Sequence, residues 1–254
     1  MACLQDWTFN LAKKILPAGL RNWLVQKRRQ FKLHSTIDFG DFARTTPISR
    51  VFGFDRGMAI DRYYIEKFLA ANSHHIQGRA LEMGDPFYIN KFGDGKVKQI
   101  DVMHVVEGNP EATIIADLTA ADHLPCDQFD CIIFTQSLQM IYDLKTALRT
   151  LHRILKPGGK LLMTSAGISK IARRLGKDDW GEYWHLTSQS AEALIAETFP
   201  GGECEVATMG NVLSAMCFLH GMAAAELPSD KLDICDPDFE VLITVVATKS
   251  TATQ

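Results

Sequence analysis

Residues 79–85 read Arg-Ala-Leu-Glu-Met-Gly-Asp, a short apolar run that carries one acid and stops at a glycine. A run of this length that ends at a glycine is typical of a buried strand followed by a turn. Similar runs recur along the chain, so we predict further strands at 97–106, 113–116, 129–135, 160–164, 204–208 and 241–247. The pattern therefore predicts seven strands, most of them buried on both faces as in a parallel sheet.

Helical patterns alternate with these runs, at 61–71, 141–155, 188–199 and around 212–226. Residues 156–159, Lys-Pro-Gly-Gly, are a signal for the end of the predicted helix at 141–155. The link between the second and third strands is too short for a crossover helix. Strand-helix alternation predicts an α/β fold, a Rossmann-like doubly wound and mostly parallel seven-stranded sheet with helices on both faces.

Three regions are expected along the chain. Residues 1–35 interleave leucines with lysines and arginines and predict a basic amphipathic N-terminal arm of one or two helices, broken near Pro17 and Gly19. Residues 36–77 predict a lid with N-terminal helices, and 78–250 predict the sheet domain. The arm is suited to a membrane surface or a partner, or it packs its apolar stripe on the main domain.

Composition limits the classes of partner. The net charge is -3, which gives no argument for a nucleic-acid partner. Six cysteines include no Cys-x-x-Cys pair, so we expect no metal site and a cytoplasmic location. No apolar stretch approaches the roughly 20 residues that span a bilayer. The oligomeric state is left open.

Acids follow several of the predicted strands at the edge of the sheet where ligands bind. Glu82 and Asp85 flank the first turn, and Asp117 follows the third strand. The Gly-x-Gly-x-x-Gly turn and the phosphate loop are both absent, which disfavours a nicotinamide-dependent oxidoreductase. Carboxylates suit ribose hydroxyls, an adenine amino group and a sulfonium cation, so we predict a nucleoside pocket without phosphates.

The order of these pieces resembles class I S-adenosylmethionine-dependent methyltransferases, in particular the small-molecule branch called type 11. The matching stretches are 80–84, 116–118, 124–125, 129–133 and 147–159, and the similarity extends over about residues 45–248. The resemblance implies S-adenosyl-L-methionine as the cofactor and methyl transfer to a small molecule, a transferase activity often found in secondary metabolism.

The resemblance also implies roles for individual residues. Glu82 and Gly84 would form the cofactor turn, Asp101 would meet the ribose hydroxyls, and Asp117 would meet the adenine amine with Leu118 behind the ring. Gln136, which follows the fourth strand, is a further candidate. Because the link between the second and third strands is too short for the usual crossover helix, His104 or Glu107 could bind the ribose instead of Asp101.

The first turn departs from the family pattern, since residues 85–87 replace the usual glycines. Asp85 could instead bind the methionine ammonium. In the lid, Arg56 or Arg62 could pair with the methionine carboxylate, or form an ion pair with Asp55 or Asp61. Tyr64 in the helix at 61–71 is another candidate for contact with the cofactor.

The acceptor side is predicted in residues 178–185, Asp-Asp-Trp-Gly-Glu-Tyr-Trp-His. His185 could be a general base for a hydroxyl acceptor, or it could cap a packing cluster of the aromatic residues. We expect an O-methyltransferase acting on a sugar or secondary metabolite. The alternatives are an N-methyltransferase acting on a small amine, which needs no base, and a non-catalytic module that binds a partner through the arm.

Overall fold

The computed structural model describes residues 17–33, 38, 40–172 and 181–251. Part of the predicted arm (1–16 and 34–35) and the start of the predicted acceptor segment (178–180) lie outside the described residues. The chain divides into two compact units, Met1–Thr45 and Thr46–Gln254.

The first unit contains helix α1, Ala18–Leu33, and a short 3-10 turn, Gly40–Ala43. The helix begins directly after Pro17, where a residue without an N–H group is tolerated. Gly19 lies inside the first turn and does not break the helix. Leu20 and Trp23 are about half exposed, at 47% and 52%.

The second unit is a seven-stranded sheet with the strand order β3-β2-β1-β4-β5-β7-β6. Strands β1 to β5 are parallel, and β7 runs antiparallel to both β5 and β6. The strands are β1 Gly78–Met83, β2 Val97–His104, β3 Ile114–Ile115, β4 Phe129–Thr135, β5 Leu155–Ala166, β6 Cys204–Met209 and β7 Leu242–Thr248. The helices are α2 Ile60–Ala71, α3 Phe87–Phe92, α4 Leu144–Ile154, α5 Ser188–Thr198, α6 Val212–His220 and α7 Ser229–Leu232. The predicted fold class is thus confirmed.

The boundaries differ from the predictions where tertiary pairing extends or shortens an element. Strand β5 begins at Leu155 rather than Lys160, because Leu155 pairs with Phe129 before a register shift brings Lys160 opposite Cys131. Residues 156–159 therefore belong to an irregular strand start. The helix predicted around 212–226 ends at His220, where Gly221 adopts a left-handed conformation with φ 72°.

Two polar side chains in residues 148–159, a stretch that resembles the methyltransferase family, hold neighbouring backbone in place. Arg153 donates to the carbonyl oxygens of Ala121 and Leu124, in the loop that follows β3. Lys156 Nζ lies 2.7 Å from the Asp130 carboxylate, which also accepts the backbone N–H of Arg79 at the start of β1. These two side chains therefore hold the start of β1 and the loop after β3 in place.

The segment before α2, residues 46–58, is tied to the end of α6. The backbone N–H groups of Ile48 and Ser49 both donate to the carbonyl of His220. Gly53 has φ 89°, and a Cβ atom placed on it would lie 2.8 Å from the carbonyl oxygen of Met222. Only glycine allows this close approach, so the loop is fixed by backbone contacts across the edge of the sheet.

Candidate functional site

The strand order reverses between β1 and β4, which is where ligands bind in a doubly wound sheet. Three adjoining cavities open there, and we call them the large, side and small cavities, with volumes of about 610, 410 and 210 Å³. The large and side cavities share Met83, the large and small cavities share Gln136 and Met140, and the side and small cavities share Phe54 and Arg62. They form one crevice across the carboxyl ends of the parallel strands.

The large cavity has apolar walls and a polar rim. Its walls include Met103, Leu118, Phe134, Met140 and Ile141. Asp117, which follows β3, lines this cavity and is exposed. Its Oδ1 accepts two hydrogen bonds of 2.8 Å from Thr119, one from the backbone N–H and one from the hydroxyl. These bonds fix the orientation of the carboxylate at the rim, and a flat ring with an amino group fits between such walls and such an acceptor.

The turn after β1 is held by a buried acid. Glu82 is 3% exposed, and its two carboxylate oxygens accept the backbone N–H groups of Tyr88 at 3.0 Å and Ile89 at 2.8 Å. Burial raises the pKa of Glu82 to about 7, against the lowering effect of these two hydrogen bonds. One acid therefore fixes the turn and the first residues of α3, where the family pattern has glycines.

Gly84 leaves space at this turn. Its φ is 85°, it lines the large cavity, and no atom lies within 4 Å of the position that a Cβ would take. Its N–H donates to the carbonyl of Met103 at 3.0 Å. A ligand can therefore approach the backbone of Gly84 closely.

The side cavity presents a cation and an anion together. Arg62 Nη1 donates to the hydroxyl of Tyr88 at 2.7 Å, and its guanidinium carbon lies 5.9 Å from the centre of the Phe54 ring. Asp85 is exposed and accepts the backbone N–H of Phe87 at 3.0 Å. A guanidinium and a carboxylate that line one cavity complement the carboxylate and ammonium of an amino acid.

Three of the candidate cofactor residues lie elsewhere. Asp101 is three residues before the end of β2, and its carboxylate forms a 2.7 Å ion pair with Arg79. Arg56 is paired with Glu226 at the surface, rather than with Asp55 or Asp61. The hydroxyl of Tyr64 donates to the carbonyl of Leu232 at 3.0 Å within the core. These side chains already have protein partners, and none of the three lines the large, side or small cavity.

The polar residue of β2 that lines the large cavity is His104, the alternative to Asp101. Its Nδ1 lies 2.8 Å from the carbonyl oxygen of Val106. The backbone N–H of Val106 lies 3.4 Å from the same nitrogen. When Nδ1 carries the proton and donates to the carbonyl, Nε2 is an acceptor. A hydrogen-bond acceptor at this strand end suits a ribose hydroxyl.

His185, the predicted general base, does not line any of the three cavities. It lines a separate cavity with Ser188 and Glu240, and its Nε2 lies 3.2 Å from the Glu182 carboxylate. Segment 181–187 contains no helix or strand, and its residue that lines the large cavity is Tyr183. The Tyr183 ring lies 5.4 Å from that of Tyr142, which lines the same cavity.

Gln136 is the predicted residue that joins two of the cavities. It has a left-handed conformation with φ 49°, which is uncommon for a residue other than glycine. Its side-chain oxygen accepts a 2.6 Å hydrogen bond from Gln139, a buried residue that lines the small cavity. The strained backbone places both amides between the large and the small cavities. Nothing in the local sequence pattern signals Gln139 or the positive φ.

Comparison with known proteins identifies the class. A sequence profile of the family described as "Methyltransferase domain" matches residues 41–212, well over half of the chain. The chain therefore belongs to this family of methyltransferase domains.

Individual relatives are more distant. The ubiquinone/menaquinone biosynthesis C-methyltransferase UbiE of Pectobacterium atrosepticum is 39% identical over 98 residues, which cover 39% of this chain and 35% of that protein. UbiE of Klebsiella pneumoniae is 37% identical over 76 residues, or 29% and 27% of the two chains. The chain thus matches only about a third of the length of these curated relatives.

Solved structures share the fold. The [4+2]-cyclase SpnF superimposes with a TM-score of 0.50 and 20% identity over 78% of this chain and 84% of its own. An S-adenosylmethionine-dependent methyltransferase from Mesorhizobium loti has a TM-score of 0.48 and 18% identity over 77% and 100% of the two chains.

Within the described ranges, no helix is long and apolar enough to cross a membrane. Among the residues that the structure describes, no group of three or more His, Cys, Asp or Glu side chains could hold a metal ion.

Proposed function

We propose that this methyltransferase transfers the methyl group of S-adenosyl-L-methionine to a hydroxyl of a small molecule, which is a sugar or a secondary metabolite. The observation that carries the proposal is the contact between the large cavity and the small cavity at Gln136 and Met140. A cofactor in the first cavity and an acceptor in the second would meet at that wall. The methyl group on a sulfonium is already activated, so alignment and exclusion of water supply most of the catalysis.

The proposed cofactor residues follow the crevice. Asp117 accepts from the adenine amino group, Leu118 packs on the ring, and His104 accepts from a ribose hydroxyl. Gly84 allows the sulfur end to approach the backbone. Arg62 and Asp85 bind the carboxylate and the ammonium of the methionine part.

Glu82 and Gln136 have supporting roles in this proposal. Glu82 orders the turn and also lines the side cavity that would hold the methionine part, and Gln136 forms the wall towards the acceptor. His185, which lines another cavity, is not proposed as a base.

Methylation on carbon is the second candidate, because both curated relatives are named as C-methyltransferases. The position of the methyl group in the product decides between the two. A methoxy signal in the proton NMR spectrum supports oxygen as the acceptor, and a methyl signal bound to carbon supports the second candidate. Methylation of an amine would contradict both.

Binding of the demethylated cofactor, S-adenosylhomocysteine, tests the cofactor residues. At a concentration of about 100 times Kd, it should stabilise the folded chain by about 2.7 kcal/mol. In a chain of this size that corresponds to a rise in Tm of roughly 5–10 °C. We expect Asp117→Ala to reduce this rise strongly at the same concentration, because the rim loses its carboxylate.

Asp101→Asn is the matched control for that experiment. It replaces an acid of the neighbouring strand that is paired with Arg79, so it should lower the Tm of the free protein while leaving the rise on binding intact. If millimolar S-adenosylhomocysteine does not shift the Tm of the wild type, the proposed site is wrong. If Asp101→Asn weakens binding as much as Asp117→Ala, the assignment of the two acids is wrong.

Three expectations about surroundings stay predictions. They are the absence of a nucleic-acid partner, the cytoplasmic location, and a contact of the basic arm with a membrane surface or a partner.

A further inference from the structure

The small cavity has the size of a single substituted ring. Its volume is about 210 Å³, and an apolar cavity on the order of 150 Å³ is enough to hold benzene. Its walls include the side chains of Phe52, Phe54 and Phe218, and the Phe52 and Phe218 rings lie 5.7 Å apart, tilted by 33°. Aromatic rings bind other rings in tilted or offset arrangements at such distances.

Most polar groups of this cavity already have partners within the protein. Glu182 contacts His185 through one carboxylate oxygen and accepts the backbone N–H of Ala172 through the other. The side chain of Gln139 bonds to Gln136 and accepts from Ser165 at 3.3 Å. These groups shape the cavity, and their hydrogen bonds leave them less able to serve a ligand.

Asp61 is different. It lies in the first turn of α2, lines the small cavity, and accepts the backbone N–H of Arg62 at 2.8 Å. Among the described residues, no side chain donates a hydrogen bond to its carboxyl group. Its charged neighbours are the cations Arg62 and Lys170, while Glu182 is the other acid that lines the cavity. Burial raises the pKa of Asp61 above its ordinary value, which makes it a stronger base than an exposed carboxylate.

We infer that the small cavity binds the acceptor as a single hydroxylated aromatic ring, with Asp61 as the catalytic base. The inference rests on the proposed function and names its acceptor class. The ring packs against the phenylalanine side chains that line the cavity, and its hydroxyl lies between Asp61 and the wall shared with the large cavity. The hydroxyl proton passes to Asp61 as the oxygen–methyl bond forms and the sulfur–methyl bond breaks, with that electron pair remaining on sulfur.

Binding of catechol in the presence of S-adenosylhomocysteine tests the ring site without turnover. By titration calorimetry, we expect wild type to bind catechol and Ala172→Phe, which fills the small cavity from a loop, to bind it at least tenfold more weakly. Ala172→Phe should keep its affinity for S-adenosylhomocysteine within about threefold, because Ala172 lines neither cofactor cavity. Equal catechol binding by the two proteins, or none by wild type, would overturn the ring site.

The base is tested by turnover with catechol and S-adenosylmethionine. Asp61→Asn keeps the shape of the side chain, so it should bind catechol within about threefold of wild type. Its rate of methyl transfer should fall on the order of 100-fold, as expected for loss of a general base. The wild-type rate should rise with pH as Asp61 ionises, and this rise should be missing in Asp61→Asn.

The control is Asp122→Asn, at an exposed acid outside the three cavities, which should match wild type throughout. No methylated catechol from wild type, or an unchanged rate in Asp61→Asn, would overturn the inference. Failure of the proposed function has a different signature, since S-adenosylhomocysteine itself would then not bind.

Discussion

At the scale of single residues, Glu82 shows how an acid can replace flexible backbone. In the family pattern, glycines at this turn allow a close approach of the chain to the cofactor. Here both oxygens of a buried carboxylate accept backbone N–H groups at the start of α3. Because these groups belong to the first turn of a helix, they lack partners within it. Glu82 therefore satisfies them and positions Asp85, which follows Gly84.

The raised pKa of Glu82 predicts a pH dependence of stability. In the unfolded chain Glu82 titrates near its ordinary value of 4.5, and in the folded chain it titrates at about 7. The folded state binds the proton more tightly, so its contribution to stability is complete below pH 4.5 and is lost as the pH rises to about 7. At about 1.4 kcal/mol for each pKa unit, the loss is about 3 kcal/mol.

Urea unfolding of wild type and Glu82→Gln between pH 4.5 and 8 measures this effect. The amide cannot titrate, so the free energy of unfolding of wild type should fall relative to the variant across that range. The variant should be less stable than wild type at pH 4.5–5, because an amide nitrogen cannot accept an N–H group, whereas the hydroxyl oxygen of the protonated acid can. Parallel curves would show that Glu82 keeps an ordinary pKa. The charged groups that act on it, Asp85 and Arg62, are the same in both proteins.

At the scale of elements, the segment 46–58 determines where the small cavity lies. It carries Phe52 and Phe54, which line that cavity, and it leads directly into α2 with Asp61 and Arg62. Backbone hydrogen bonds to His220 and from Ala224 to Met58 attach it to the region after α6. The predicted lid is therefore built on the antiparallel end of the sheet, although it precedes β1 in sequence.

We expect Gly53→Ala to destabilise the chain and disturb this segment. The substitution combines a strained left-handed φ of 89° with a Cβ placed 2.8 Å from the backbone of Met222. We expect a loss of roughly 2–4 kcal/mol in the free energy of unfolding, since backbone strain alone costs about 1–3 kcal/mol. Chemical denaturation measures it.

Gly95→Ala is the matched control for this substitution. Gly95 also has a left-handed φ, 69°, but no atom lies within 4 Å of the position that a Cβ would take there. It should therefore show the strain alone, a loss of about 1–2 kcal/mol. If the two variants lose the same stability, the contact with Met222 does not hold the segment.

At the scale of the whole molecule, charge is unevenly distributed between the two units. Helix α1 contains no acidic residue, although the net charge of the whole chain is -3. Its five basic residues are Arg21, Lys27, Arg28, Arg29 and Lys32. Its Trp23 and Leu20 are about half exposed. A helix with this combination is suited to lie in the interface of an anionic membrane.

Vesicle binding tests this expectation for the arm. The full chain should sediment with vesicles of phosphatidylcholine and phosphatidylserine and not with phosphatidylcholine alone, and salt should weaken the binding. Each basic residue near such a surface contributes about 1 kcal/mol. Replacing Lys27, Arg28 and Arg29 by alanine should therefore lower the affinity on the order of 100-fold.

The control for the vesicle experiment is replacement of Lys96 and Lys98, which lie at the start of β2 in the other unit, by alanine. These substitutions should leave vesicle binding unchanged. Equal binding to neutral and anionic vesicles would contradict the role of charge, and the arm would then have another purpose.

The sequence alone determined the alternation of strands and helices and the cofactor class. The apolar run at 129–135 and the leucine spacing in 144–154 identify buried elements. In a buried strand or helix, apolar residues recur with the period of that element, so the pattern can be read from neighbouring residues alone. The pattern at 148–159 likewise identifies the family, although its side chains serve to hold strand ends. Asp117 was placed at the crevice from its position directly after a short strand, and the structure puts it there.

Only the tertiary structure decided which side chains reach the crevice. His104 rather than Asp101 lies at the end of β2, a difference of three residues that depends on pairing with β1. Arg62 lines the site while Arg56 pairs with Glu226, 170 residues away in sequence. Asp61 rather than His185 lines the small cavity, because the segment before β1 packs against the far end of the sheet. The local spacing of apolar residues indicates which positions are buried. Which cavity a polar side chain reaches depends instead on contacts between residues that are distant in sequence.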